Sequence, residues 1–299
     1  MLNNTNRVCA VILVGGKGKR LRPLSTDLKP KPFLSITKDR KTIFRRTVDR
    51  IRGAVPAGSI FVVANSLHSS LVKKDLPDIS RKNVIFEPAS RNTAPAIALA
   101  AVALKKKYGD AVMIVLHADH YIQDKKTFIA SVKKGVEFVK TGADRIVCLG
   151  VKPRYPATGF GYLKLAVQKH GLKGNGIYKV DKFVEKPDLK RAKKYARDER
   201  YLWNVGTFIF KADTILRLIG KFAPEITRQL ASSRTTGMAY KKMPEISIDY
   251  AVMEKAGNIY CVPGSYKWQD VGSFESLIDI LRHESRDFVL KEGKVLKIL

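Results

Sequence analysis

Five short runs rich in β-branched and other apolar residues, at 8–14, 60–64, 84–86, 112–116 and 146–151, do most to fix what this chain can fold into. Each is too short for an ordinary helix and apolar throughout, as a strand covered on both faces should be. Stretches of helical composition separate them, at 42–51, 67–76, 94–107 and 128–140, with Gly53, Gly109 and Gly142 where C-terminal caps belong. Strand and helix alternating in this way predict an α/β domain: a mostly parallel sheet with helices on both faces. Ligands of such sheets bind beyond the strand C-termini, which puts the turns after the first and fourth runs at the expected binding edge.

Beyond Pro153 the rhythm changes. Segments 161–167, 178–185 and 203–210 read as strands of an added antiparallel sheet covering the mouth of a site. Helices resume at 212–222 and 248–255, and residues 287–299 read as one or two short strands around Glu292 and Gly293. There is no internal repeat or Gly/Ser linker. No apolar run approaches the ~18 residues of a membrane span, and the N-terminal MLNNTNRV lacks the apolar core of a signal peptide, so a cytoplasmic protein is expected. Cys9, Cys148 and Cys261 are odd in number and scattered, which suggests core thiols in a reducing compartment.

The charge is the compositional oddity: 56 Lys and Arg against 27 Asp and Glu give +29. A nucleic-acid partner would concentrate that charge on one face. Here the cations recur along the chain, at 105–107, 133–134 and 190–194, with no basic tail or aromatic-studded basic motif. A solvated basic surface that speeds the arrival of anionic substrates is the better account, with neither nucleic acid nor membrane as partner.

The first strand runs straight into a cation-loaded glycine turn, VILVGGKGKRLRPLSTDLKPKPFL at 11–34. Gly15, Gly16 and Gly18 let backbone N–H groups approach an anion, while Lys17, Lys19, Arg20 and Lys31 supply charge. A Walker loop needs Ser or Thr after its Lys, and none stands there. The dinucleotide fingerprint would put Leu21 where its third glycine belongs. The turn instead resembles the GGxGxRLxPL signature, followed by PKPF, of sugar-1-phosphate nucleotidylyltransferases. That resemblance implies a Rossmann-like nucleotidyltransferase fold in which the turn wraps a nucleoside triphosphate, Arg20 grips its phosphates and Lys31 reaches the α-phosphate.

The remaining blocks of the family pattern follow in order over nearly the whole chain. FEPASRNTAPAIA, 86–98, looks like the segment typical of mannose-1-phosphate guanylyltransferases, also called GDP-mannose pyrophosphorylases. Asn92 and Thr93 open a helix there, and Pro88 offers a flat contact for a base; seen alone, Asn92 and Thr93 would read as an ordinary cap. Asp119, at a strand end in VLHADHYI, suits Mg²⁺, which takes one or two carboxylates and fills its other positions with water and phosphate oxygens. Asp270, in WQDVGSFES, reads by itself as an acid near a helix N-terminus, and the resemblance makes it the second metal ligand. His117 and His120 flank Asp119 without the cysteine pair or third histidine of a zinc site.

FVEKPD at 183–188, WNVGTFIF at 203–210 and TGFGY at 158–162 resemble the family's sugar-binding blocks. Glu185 can accept from sugar hydroxyls, Lys186 can pair with the 1-phosphate, Asn204 can donate and accept, and Gly161 permits close backbone approach unless it is only a bulge glycine. Lys17, Arg22 and Pro32 depart from the guanylyltransferase pattern, as do His117, Val205 and Thr207, and they bear on base and sugar preference. The resemblance divides residues 1–285 near 150 into nucleotide-binding and sugar-binding halves, with 286–299 as a short extension. Many relatives continue there into a left-handed β-helix, an element expected to be absent here, and a homodimer is left open.

The resulting expectation is an Mg²⁺-dependent enzyme that joins GTP to α-D-mannose 1-phosphate, giving GDP-mannose and pyrophosphate. The rivals are the same chemistry with dTTP and glucose 1-phosphate, and a non-catalytic regulatory subunit.

Overall fold

A computed structural model describes residues 7–16, 18–166 and 176–299. Lys17 of the glycine turn and Val167 of the expected strand 161–167 lie outside them. The first half runs β1 (Val8–Val14), α1 (Ile43–Ile51), β2 (Ile60–Asn65), α2 (Ser69–Asp75), β3 (Val84–Glu87), α3 (Thr93–Tyr108), β4 (Val112–His117), β5 (His120–Ile122), α4 (Lys125–Lys140) and β6 (Ile146–Val151). The second runs β7 (Tyr162–Leu165), β8 (Tyr178–Val184), α5 (Leu189–Ala196), β9 (Tyr201–Lys211), α6 (Ala212–Phe222), α7 (Pro224–Ser232), α8 (Thr236–Lys242), β10 (Ile259–Gly264), β11 (Trp268–Asp270), α9 (Phe274–His283), β12 (Phe288–Lys291) and β13 (Lys294–Ile298).

The five apolar runs all form strands. β1 shows why they lie inside: Ala10, Ile12 and Val14 feed one core while Cys9, Val11 and Leu13 feed another on the opposite face of the sheet. Local signals set the helix ends. Thr42 caps α1 by accepting from Arg45 N at 2.9 Å, and Gly109, at φ +75°, closes α3. Asp124 accepts from Thr127 N at 3.0 Å and starts α4 three residues before the apolar period begins. A third core lies under α9 and the β12–β13 hairpin.

Topology corrects the expected sheet. Nine strands form one sheet in the order β3-β2-β1-β4-β9-β6-β10-β8-β7. β1 to β4 are parallel as expected, and β10 is parallel to β6, but β9 runs antiparallel to both β4 and β6 at the centre. The sheet is therefore mixed rather than mostly parallel, and the second-half strands extend it instead of building a separate cover. Alternating apolar patterns specify faces, not neighbours, so β9 carried no sign of its position. The expected helix 248–255 is a π-helix over Asp249–Met253. No helix among the described residues is long and apolar enough to cross a membrane.

Candidate active site

The glycine turn closes over Lys31. At Gly18, φ is +62° and a Cβ would stand 2.8 Å from Lys31 Cβ, so only glycine permits the approach. Ser25 Oγ locks it by donating to the Gly18 carbonyl at 2.6 Å. Gly16 lies beside Asp119, where a Cβ would make only ordinary contact with Oδ2 at 3.7 Å, and it is the φ of +88° that favours glycine there. Lys19 and Arg20 follow in a short 3₁₀ turn, both exposed and without an ion pair to any described residue. Their charges face a cleft of about 660 Å³ lined also by Gly16, Gly18, Asp119 and Asp270.

Lys31 is buried at 6% exposure, with Nζ 2.6 Å from Asp119 Oδ2 and 2.8 Å from Asp270 Oδ1. Topology explains how acids so distant in sequence meet. Asp119 occupies the turn between β4 and β5, and β5 pairs antiparallel with β11, setting Asp270 opposite His120. Burial alone would lower the Lys31 ammonium, but Asp119 and Asp270 overrule it and hold it above the ordinary lysine value. Burial likewise opposes ionisation of Asp119, and the Lys31 charge wins, holding its carboxyl well below the usual range. His117 and His120, rings 5.0 Å apart, are both pushed down by burial, His120 to about 4, so they are neutral at pH 7. No group of three or more His, Cys, Asp or Glu among the described residues is arranged to hold a metal by itself.

A second pocket of about 270 Å³ shares Asn92, His117, His120 and Asp270 with the first cleft. Gly161, Glu185, Lys186 and Asn204, all nominated from the sequence, line it together. Lys186 pairs with Glu185. Asn204 accepts from Gly206 N at 3.0 Å and donates to Asp249 Oδ1 at 3.2 Å, which fixes its amide and leaves one N–H for a ligand. Asp249 and Tyr250, at the start of the π-helix, complete this wall. Sequence reasoning missed them; their only signal was an acid inside the apolar stretch 246–253, which reads as the solvent side of a helix.

The FEPASRNTAPAIA block divides its work. Asn92, at φ +67°, caps α3 by accepting from Thr93 N at 2.9 Å. The Thr93 hydroxyl accepts from Ile248 N at 2.8 Å, and Ile246 bonds Arg91 and Ala94 through its backbone, so this corner docks the segment carrying Asp249. Pro88 lies apart from Asn92 and Thr93, in a cleft of about 410 Å³ with Gly15, Gly16, Asn65 and His68. Glu87, just before it, is buried at 8% exposure, accepts from Tyr240 Oη at 3.0 Å and is pushed up to about 7 by burial. Asn65, His68 and Glu87 are further residues the sequence did not single out.

Residues 9–286 match the family model for nucleotidyl transferases. The chain is 37% identical to the mannose-1-phosphate guanylyltransferase of Escherichia coli strain K12 over 293 residues, which cover 93% of this chain and 60% of that protein. It thus spans about three-fifths of the length of that curated relative. A Thermus thermophilus structure described as mannose-1-phosphate geranyltransferase superimposes with TM-score 0.84 at 31% identity, over 96% of this chain and 83% of the other. A Helicobacter pylori structure described as mannose-6-phosphate isomerase gives 0.71 at 27% identity, over 88% of this chain and 100% of the other. With the match running from the first strand through the end of α9, this chain belongs to the nucleotidyl transferase family.

Proposed function

We propose that this chain transfers GMP from GTP to α-D-mannose 1-phosphate, giving GDP-mannose and pyrophosphate, with Mg²⁺ as cofactor. One observation carries the reading: a lysine bridging two carboxylates beneath a glycine turn opens, through the shared wall at Asp270, onto a pocket lined by Glu185, Lys186 and Asn204. The mannose 1-phosphate in the names of the E. coli and T. thermophilus proteins supports this choice of sugar, and the E. coli name supports this choice of base.

The residues present fit Mg²⁺. Asp119 and Asp270 are hard oxygen donors already close enough to share one cationic atom, the ammonium of Lys31. They are the residues that would hold the ion, which when bound would offset charge on the phosphate oxygens. The chain's own groups do the rest. Lys19 and Arg20, free of ion pairs to the described residues, bind the triphosphate, and Lys31 turns its ammonium toward the α-phosphate. Lys186 meets the sugar 1-phosphate while Glu185 and Asn204 orient the ring. The sugar phosphate needs no strong base, since its second pKa is near ~6, so alignment for in-line attack and charge stabilisation carry the rate.

Pyrophosphate release across four nucleoside triphosphates and several sugar 1-phosphates tests the proposal. GTP with mannose 1-phosphate should turn over fastest. Faster use of dTTP with glucose 1-phosphate would replace the reading with its nearest rival, and binding without turnover in any combination would favour a regulatory subunit.

A further inference from the structure

Arg50 stands on α1, outside both pockets, and is buried at 6% exposure. Among the described residues it pairs with no carboxylate. Its Nη2 donates to Thr47 Oγ1 at 2.9 Å and to the His120 carbonyl at 3.3 Å, and its guanidinium carbon lies 5.5 Å from the centre of the Phe128 ring. Its Nε has no hydrogen-bond partner among the described residues. Burial pushes it down to about 10, which leaves it charged at neutral pH.

A buried cation with an orphaned N–H is costly, and an apolar side chain of similar volume would pack there without that cost. Packing alone therefore does not account for an arginine. What it touches does. Thr47 Oγ1 also lies 3.5 Å from the Ala118 carbonyl, so α1 meets the carbonyls on either side of Asp119. His120 is in turn the residue paired with Asp270 across the β5–β11 ribbon. The His120 carbonyl accepts from the guanidinium and the Ala118 carbonyl from the Thr47 hydroxyl, without adding a third carboxylate behind the pair.

We propose that Arg50 is a positioning residue: by holding the His120 carbonyl it fixes the turn that aims Asp119 and, through the β5–β11 ribbon, the strand end that aims Asp270. Its consequence for metal binding rests on the reading of those two acids as the Mg²⁺ ligands.

The test compares Arg50→Met and Arg50→Lys with the unaltered protein. Hydrogen exchange on metal-free protein should show amides 118–122 and 268–270 of the Met variant exchanging about tenfold faster, with β1 and β2 unchanged. Mn²⁺ binding in the presence of GTP, followed by electron paramagnetic resonance, should weaken about tenfold, as when a group that orients a metal ligand is lost. Lys should restore part of both. Uniform loss of protection, or an unchanged ribbon and unchanged Mn²⁺ affinity, would overturn the proposal. If the Met variant fails to fold, Thr47→Val, which removes the hydroxyl against which Arg50 rests, takes the same two measurements, and unchanged values there overturn it equally. Absence of Mn²⁺ binding to the unaltered protein would sink the metal reading alone, and the exchange result would still decide the role of Arg50.

Discussion

The two connected pockets each set one lysine among carboxylates, yet they differ in how tightly the charges are held. Lys31 lies between Asp119 and Asp270 with its side chain 8% exposed, while the Lys186 side chain, beside Glu185 and near Asp249, is 51% exposed. In the first pocket burial strengthens every charge interaction and leaves the groups few other positions. In the second, water competes for the lysine, and the pair can exchange partners when a ligand arrives. Under the proposed function the contrast suits a division of labour: a fixed cluster for the reacting phosphates, and an adjustable one for the sugar phosphate.

The largest expected effect comes from emptying the fixed cluster of its acids. Asp119→Ala combined with Asp270→Ala should lower kcat on the order of 10³-fold or more. If the two acids hold one Mg²⁺ as proposed, each single change should raise the Mg²⁺ needed for half-maximal rate, and the double should cost less than the sum of the singles. Full activity in EDTA, or an unchanged Mg²⁺ requirement in Asp270→Asn, would remove the fixed cluster from the chemistry. Next, Lys31→Met should cost roughly 10²-fold in kcat. It should also leave two carboxylates facing each other, so that added Mg²⁺ raises its Tm by more than that of the unaltered protein. Equal Tm gains would show that the lysine does not stand where the metal does.

The adjustable pocket should answer in KM. Glu185→Ala or Asn204→Ala should raise KM for mannose 1-phosphate about tenfold, with little change in KM for GTP. Equal changes in both would erase the distinction between the pockets.

The smallest effect concerns Glu87, a buried carboxyl that forms no ion pair among the described residues and so serves as a control for both clusters. Its folded value of about 7 lies above the ordinary 4.5, so the folded state binds the extra proton between those limits. Its stabilising contribution is therefore present below about pH 4.5 and is lost as pH rises through 7. Glu87→Gln should flatten that decline, seen as a difference of a few degrees in Tm between pH 5 and pH 8. A parallel Tm profile would mean that Glu87 titrates normally.

Much of this was legible before the fold was known. The strands were, because β-branched runs between helical patterns leave few alternatives, although of the expected glycine caps only Gly109 takes a positive φ, and so was the tight turn after β1, marked by its three glycines. Gly161, Glu185, Lys186 and Asn204 were nominated from separate segments and meet in the second pocket. What stayed hidden is relational. Nothing near Asp270 announces the ribbon that carries it to Asp119, since three residues of strand, Trp268–Asp270, are too short to leave a period. Asp249 was hidden because an acid inside the apolar stretch 246–253 reads as the solvent side of an ordinary helix, whereas the chain forms a π-helix there whose first residue lines the pocket. Thr93 reads the same in sequence whether its hydroxyl meets a ligand or, as here, the Ile248 amide.

The position of β9 bears on how the chain is made. β4 ends at His117, but its second edge is filled only by residues 201–211. During synthesis at ~5–20 residues per second, the four parallel strands exist for several seconds with β4 presenting unpaired N–H and C=O groups. The nascent protein must pass through a stage in which its centre is its edge. For the same reason a cut near residue 150, which looks natural from the change in rhythm, would give a fragment with a sticky strand rather than a small domain.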